Sequence, residues 1–257
     1  LLSKYLLLTL IVFCTLQTGC EDIDSSPNTN KNTYYDDISD ITYLNSSFYT
    51  TNYDLSGNAG EQIDLIVYDI VDTETVMNNK FSLGLNGQGY LSITNDGNDL
   101  YLQSRSNYNI FKISNTGEIA YLSSDTLDTK WLPSGLTYNS SNDSLVFLYR
   151  NTEKNNQYRL REVSKLLSEQ SKNDREFVLN GLDTTVYGAL CIAYKEPNLY
   201  VLAFDGQKDV LITMDYSSLN LISNESVNDS TAVGIDIANN SIYLSYRDRT
   251  ISLFKEL

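Results

Sequence analysis

Residues 190–202 read Leu190-Cys-Ile-Ala-Tyr-Lys-Glu-Pro-Asn-Leu-Tyr-Val-Leu202, an apolar run, a polar turn and a second apolar run. Runs of four to five residues rich in β-branched and aromatic side chains, separated by turn formers, read as a β-hairpin. The same pattern recurs four more times. Its first strands are Ile41-Thr-Tyr-Leu44, Leu91-Ser-Ile-Thr94, Leu136-Thr-Tyr-Asn139, Leu190-Cys-Ile-Ala193 and Ile235-Asp-Ile-Ala238. Its second strands are Phe48-Tyr-Thr-Thr51, Leu100-Tyr-Leu-Gln103, Leu145-Val-Phe-Leu148, Leu199-Tyr-Val-Leu202 and Ile242-Tyr-Leu-Ser245, at spacings of 52, 45, 54 and 43 residues. A supersecondary unit repeating at that period is a propeller blade.

Third strands follow at Leu65–Tyr68, Ile110–Ile113, Tyr158–Arg161, Val210–Thr213 and Ile251–Phe254. Weaker fourth strands follow at Lys80–Leu83, Ile119–Leu122, Glu176–Leu179 and Leu219–Ile222. The sequence therefore predicts an all-β, single five-bladed β-propeller over residues 38–257, with a six-bladed or irregular propeller as the alternative. The fifth repeat ends after its third strand, at Leu257. An N-terminal strand, Asn32-Thr-Tyr-Tyr-Asp36, is expected to close the last blade and remove an open sheet edge. Charges and leucines at helical spacing from Val163 to Lys172 predict a short helix inside the third blade.

The 257 residues carry 18 Lys and Arg against 33 Asp and Glu, a formal net charge of −15. Affinity for nucleic acid rests on clustered cations that neutralise phosphates, so nucleic-acid binding is excluded as a function. No histidine is present, which removes Ser-His-Asp, Cys-His and His-metal chemistry. No phosphate-binding glycine motif and no paired CxxC occurs, and neither a cofactor nor a metal site is expected. Asn95-Asp-Gly-Asn-Asp99 is rich in oxygen ligands, but it occupies the position of a hairpin turn in every repeat and reads as a turn. Cys191 lies within an apolar strand and reads as a small buried hydrophobe.

Repeats arranged about an axis convert an alignment column into a ring in space. Just after the second strand, that column reads Tyr53, Arg105, Arg150, Phe204 and Arg247, followed by Asp54, Ser106, Asn151, Asp205 and Asp248. Three arginines and two aromatics at matched positions are candidate ligand-binding residues for an anionic or stacking ligand, together with Asp205. Trp131, the only tryptophan, either paves the same face or packs between blades. No catalytic residue is assigned. The rival reading is a His-free hydrolase or lyase acting on an extracellular saccharide through carboxylates, with Asp40, Asp205 and Asp248 as the acids.

The first 19 residues place Lys4 before an apolar run from Tyr5 to Phe13, too short to span a bilayer, and end in Thr18-Gly19 before Cys20. This segment resembles a bacterial lipoprotein signal peptide, although Gln17 stands where an aliphatic residue is usual. The resemblance implies lipidation at Cys20 and attachment to a membrane through that lipid. The acidic run Glu21-Asp22-Ile23-Asp24 resembles the surface-export signal of Bacteroidota lipoproteins. A polar tether over residues 20–37 and an outer-membrane-anchored, periplasmic or surface-exposed location follow from that likeness. Pro133-Ser-Gly-Leu-Thr-Tyr-Asn139 and Val233-Gly-Ile-Asp-Ile237 resemble blades of SdiA-regulated and NHL-like propellers, which share no single activity. The expected function is thus a non-catalytic ligand-binding or protein-interaction scaffold whose partner is a protein, peptide or glycan.

Overall fold

The structure is a computed structural model that describes residues 38–52, 62–72, 74–86, 91–104, 108–114, 117–124, 129–165, 173–180, 189–227 and 232–257. The expected signal peptide, the tether and the closing strand Asn32–Asp36 lie outside the described residues. Five antiparallel sheets follow one another along the chain. The first holds β1 (Ile38–Leu44), β2 (Ser47–Asn52), β3 (Gln62–Val71) and β4 (Glu74–Asn86). The second holds β5 (Leu91–Asn95), β6 (Leu100–Ser104), β7 (Asn109–Ile113) and β8 (Ile119–Ser124). The third holds β9 (Trp131–Asn139), β10 (Ser144–Asn151), β11 (Gln157–Ser164) and β12 (Asn173–Val178). The fourth holds β13 (Ala189–Lys195), β14 (Asn198–Phe204), β15 (Asp209–Asp215) and β16 (Leu221–Ser226). The fifth holds β17 (Ala232–Ala238), β18 (Ser241–Tyr246) and β19 (Ile251–Glu256).

This is the five-bladed β-propeller that the repeat predicts. No helix occurs among the described residues; Val163 and Ser164 of the expected helix belong to β11, and most of that segment lies outside them. Turn chemistry sets the tight hairpins. Asn45 and Ser46 between β1 and β2, and Asn239 and Asn240 between β17 and β18, all adopt positive φ, the geometry that matches the twist of the flanking strands.

The inner strands make the ring: β1 packs beside β5, β5 beside β9, β9 beside β13, β13 beside β17, and β17 returns to β1. An apolar cluster fills each of the five junctions, and each contains one equivalent inner-strand residue: Ile93, Leu136, Ile192, Ile235 or Ile41. Burying such a side chain contributes roughly 1.5–3 kcal/mol, so each junction stabilises the ring through several such residues. The approach is close enough to demand glycine at two places. A Cβ on Gly234 would stand 2.8 Å from Asp40 Cα and Ile41 N, and one on Gly135 would stand 3.0 Å from Ile192 N.

These contacts revise the strand alignment. Ile192, not Leu190, is the counterpart of Ile41, and Ile93 takes that place in the second blade instead of Leu91. A two-residue slip leaves every side chain on its original face, so hydrophobic alternation alone does not detect it.

Candidate functional site

The antiparallel order puts the C-terminal ends of β2, β6, β10, β14 and β18 at one end of the ring. Thr50, Leu102, Phe147, Val201 and Leu244 pair directly with the five equivalent inner residues. Counting three residues onward gives Tyr53, Arg105, Arg150, Phe204 and Arg247, so the second strands keep the register on which the candidate ring rests. Tyr53 and Arg105 lie outside the described residues. Arg150 and Phe204 are half-buried at the ends of β10 and β14, and Arg247 is exposed after β18.

Arg150 lines a cavity of about 150 Å³ with Asn151, Thr152, Asn155, Asn156, Gln157 and Tyr158. The hairpin around it is tied together by hydrogen bonds. Asn151 Oδ1 accepts the amides of Glu153 (2.8 Å) and Lys154 (3.1 Å), while its Nδ2 donates to Gln157 Oε1 (2.9 Å). Thr152 N and Oγ1 donate to Lys130 O, which ties the loop to the entry of β9. The Arg150 side chain makes no hydrogen bond or ion pair with the described residues, and neither does that of Arg247. Other described arginines are engaged: Arg159 with Glu176, Arg161 with Asp174, and Arg175 with the Tyr216 and Ser217 carbonyls. A half-buried guanidinium facing a polar cavity in a protein of net charge −15 is a local positive focus.

The carboxylates proposed for acid–base work are committed elsewhere. Asp205 Oδ1 accepts the amides of Gln207 and Lys208, both at 2.9 Å, and the Lys208 and Gln207 backbone bonds hold its pKa below the usual carboxylate value. Asp248 Oδ1 accepts Thr250 N (3.0 Å) and Oγ1 (2.7 Å). Asp40 is wholly buried at the junction of β1 and β17, where its Oδ1 accepts Ile41 N (3.1 Å) and Ile235 N (3.3 Å). Two are turn caps and one is a strand staple.

Trp131 is 1% exposed and packs in the cluster between the second and third blades beneath the Arg159 guanidinium, 4.3 Å from its ring centre. Of the two alternatives read from the sequence, packing between blades is the observed one, and the indole offers no surface to a ligand. Cys191 is buried and its thiol donates to Val233 O at 2.8 Å.

The opposite end of the ring carries two polar networks that single motifs do not announce. Glu162 accepts Asn139 Nδ2 and Asn142 Nδ2 (3.0 Å each) and Ser144 Oγ on one oxygen, and Tyr216 Oη (3.0 Å) on the other. Lys165 joins Asp96 (3.1 Å) to Asp143 (2.8 Å), and Tyr101 and Tyr138 hydroxyls donate to the same two carboxylates. Asp96 Oδ1 also accepts the Asn98 and Asp99 amides, so the Asp-Gly-Asn-Asp loop is a turn with its carboxylate filled by protein donors. These networks bridge neighbouring blades. Asn139 ends β9, Asp143 lies in the turn that follows it and Glu162 lies within β11, so the residues of one network come from different elements and no single column of the alignment reveals them.

No family model and no curated protein matches the chain. Solved structures do match. Glutaminyl cyclase from Myxococcus xanthus superposes with a TM-score of 0.56 at 11% identity, covering 86% of this chain and 93% of that one. A Bacteroides thetaiotaomicron protein of unknown function gives 0.52 at 12% identity, covering 83% of this chain and 58% of that one. Virginiamycin B lyase from Staphylococcus aureus gives 0.45 at 18% identity, covering 88% and 67%. At these identities the likeness shows the propeller fold alone.

Proposed function

We propose that this chain is a lipid-anchored, non-catalytic propeller of the cell envelope that binds an anionic, polar ligand at the loop end of its ring. The observation that carries the reading is the half-buried Arg150 guanidinium over its polar cavity, which has no partner among the described residues, as Arg247 has none at the equivalent position of the fifth blade. Loops held on a rigid scaffold are where propellers place their binding groups. A hydrolase or lyase would need two free acids facing one another, and Asp40, Asp205 and Asp248 are each bonded to backbone amides instead. The anchor reading rests on Thr18-Gly19-Cys20 after a short apolar run.

Ligand-observed NMR with an acidic oligosaccharide, trigalacturonate, against neutral maltotriose tests the site. The acidic probe should bind, and Arg150→Met should weaken it at least about 10-fold, as expected for loss of a charge-assisted hydrogen bond. Equal binding of the neutral probe, or indifference to Arg150→Met, would overturn the assignment. Metabolic labelling with a radioactive fatty acid tests the anchor. Label should appear on the wild-type chain and vanish in Cys20→Ala; an unlabelled wild type rules it out.

A further inference from the structure

The turn between β10 and β11 ends on Asn156, whose φ of +63° is open to asparagine and glycine at little cost. Its carbonyl accepts Leu179 N at 3.0 Å, which ties the turn to the residue after β12. The Asn156 side chain lines the Arg150 cavity, and its Oδ1 is buried with no hydrogen-bond partner among the described residues. Folded proteins pair nearly all such oxygens, and glycine would meet the same backbone demand without burying one.

The other polar groups of the inner wall are engaged. Asn151 Nδ2 bonds Gln157 Oε1, Gln157 Nε2 donates to Glu176 Oε2 at 2.8 Å, and Thr152 Oγ1 donates to Lys130 O. Asn155 is exposed at the rim. The cavity therefore offers an incoming molecule one cation, Arg150, and one inner acceptor, Asn156 Oδ1. Among the described residues no carboxylate lines it to repel an anion. Size bounds the ligand as well. The cavity measures about 150 Å³. An apolar protein cavity of roughly that volume holds one benzene, so one six-membered ring fits and two do not.

We infer that the cavity receives a single ring-sized hydroxycarboxylate, with its carboxylate on the Arg150 guanidinium and a hydroxyl donating to Asn156 Oδ1. The amide torsion of asparagine is soft, so the oxygen turns to meet the hydroxyl. A sugar acid has this chemistry, either free or as the end unit of an acidic oligosaccharide. The narrower ligand rests on the anion-binding reading of Arg150 proposed above.

Four probes titrated into the full chain and followed by NMR test it. Galacturonate and trigalacturonate carry both groups. Cyclohexanecarboxylate keeps the ring and charge without hydroxyls, and methyl galactoside keeps hydroxyls without the charge. Galacturonate should bind at least about 5-fold more tightly than either of the last two, as loss of one charge-assisted or neutral hydrogen bond requires. Asn156→Gly, which suits the positive φ, should weaken galacturonate at least about 5-fold and leave cyclohexanecarboxylate unchanged. Retained binding of the second acid also shows that the turn still folds. Trigalacturonate within about 5-fold of galacturonate identifies the end unit of a chain as the source, and weaker binding identifies the free acid. Trigalacturonate bound more tightly than that margin means a groove for several units. A smaller advantage over cyclohexanecarboxylate, or an Asn156→Gly variant that weakens both acids alike or neither, means that Asn156 accepts nothing from the ligand. Each of these overturns the inference and leaves the Arg150 site standing, provided that Arg150→Met still weakens both acids. Methyl galactoside binding as well as galacturonate, or no acid binding at all, removes the anion site and the inference together.

Discussion

Glu162 remains a carboxylate inside the ring because its donors outweigh its burial. Burial alone would raise its pKa, but hydrogen bonds from Ser144, Asn142 and Tyr216, and the nearby Arg175, bring it below the ordinary value. A group whose pKa is lower folded than unfolded stabilises the fold above its unfolded pKa and loses that contribution as pH falls through the folded one. Glu162→Gln turns an acceptor into a donor facing Asn139, Asn142 and Ser144, and should cost about 1–3 kcal/mol at pH 7. Urea unfolding at pH 7 and pH 3.5 checks this: the penalty should be largest at neutral pH and shrink in acid. A penalty that is the same at both would mean that charge is not what the pocket holds.

At the scale of strands, backbone proximity decides what sequence periodicity leaves open. The Cβ that Gly234→Ala adds would lie 2.5 Å from Ser245 Oγ and 2.8 Å from two backbone atoms of β1, so it should cost about 3 kcal/mol. Gly135→Ala meets its neighbours at 3.0–3.2 Å and should cost less. Gly97→Ala meets nothing within 4 Å, and its φ of +91° should cost only about 1 kcal/mol. The order of urea midpoints among these three variants measures the inter-blade fit directly. The same proximity explains which parts of the fold are legible in the sequence. The second strands align correctly from their apolar pattern, so Arg150 and Arg247 are read at equivalent positions of their blades. The inner strands of the second and fourth blades slip by two residues in that alignment. Four of the five inner strands pair through a bulge, as at Ser134 and Val233, while β5 pairs without one. The cavity beside Arg150 is not legible, since its walls are the Asn155–Asn156 turn, whose chemistry reads as that of any loop.

For the molecule as a whole, the junction of the first and fifth blades is the closure. Asp236 of β17 reaches across it: its Oδ2 accepts Tyr43 N at 2.6 Å and Thr42 Oγ1 at 3.2 Å, while Asn95 of the second blade donates to that same Thr42 oxygen at 2.7 Å. Burial pushes the Asp236 pKa up to about 6, against the opposing pull of the Tyr43 and Ile237 amides and Thr42. A carboxyl with a raised folded pKa stabilises most when protonated, and that stabilisation falls as pH climbs from its unfolded value of 3.8 toward 6. The full effect is about 3 kcal/mol, because each tenfold change in proton affinity is worth about 1.4 kcal/mol. Asp236→Asn keeps the acceptor without the charge, so the stability of the variant relative to wild type should improve between pH 4 and pH 7 in chemical denaturation. An unchanged difference across that range would place the proton elsewhere.

That closure joins residues far apart in the chain: Ile235 N meets Asp40 across 195 positions, and Ser245 Oγ meets Ser39 O across 206. Contacts of such separation carry the loop-closure entropy of nearly the entire domain before they return any stabilisation, and they set a slow folding rate. A ribosome making this chain delivers β1 first and its lasting neighbour β17 only after four blades have emerged. Until then the apolar faces around Ile38, Ile41 and Phe48 lack Ala238, Ile251 and Tyr243, which cover them from the fifth blade. The last hairpin therefore acts as a completion signal: a chain truncated before Ala232 keeps four sheets and exposes both flanks of the gap at once.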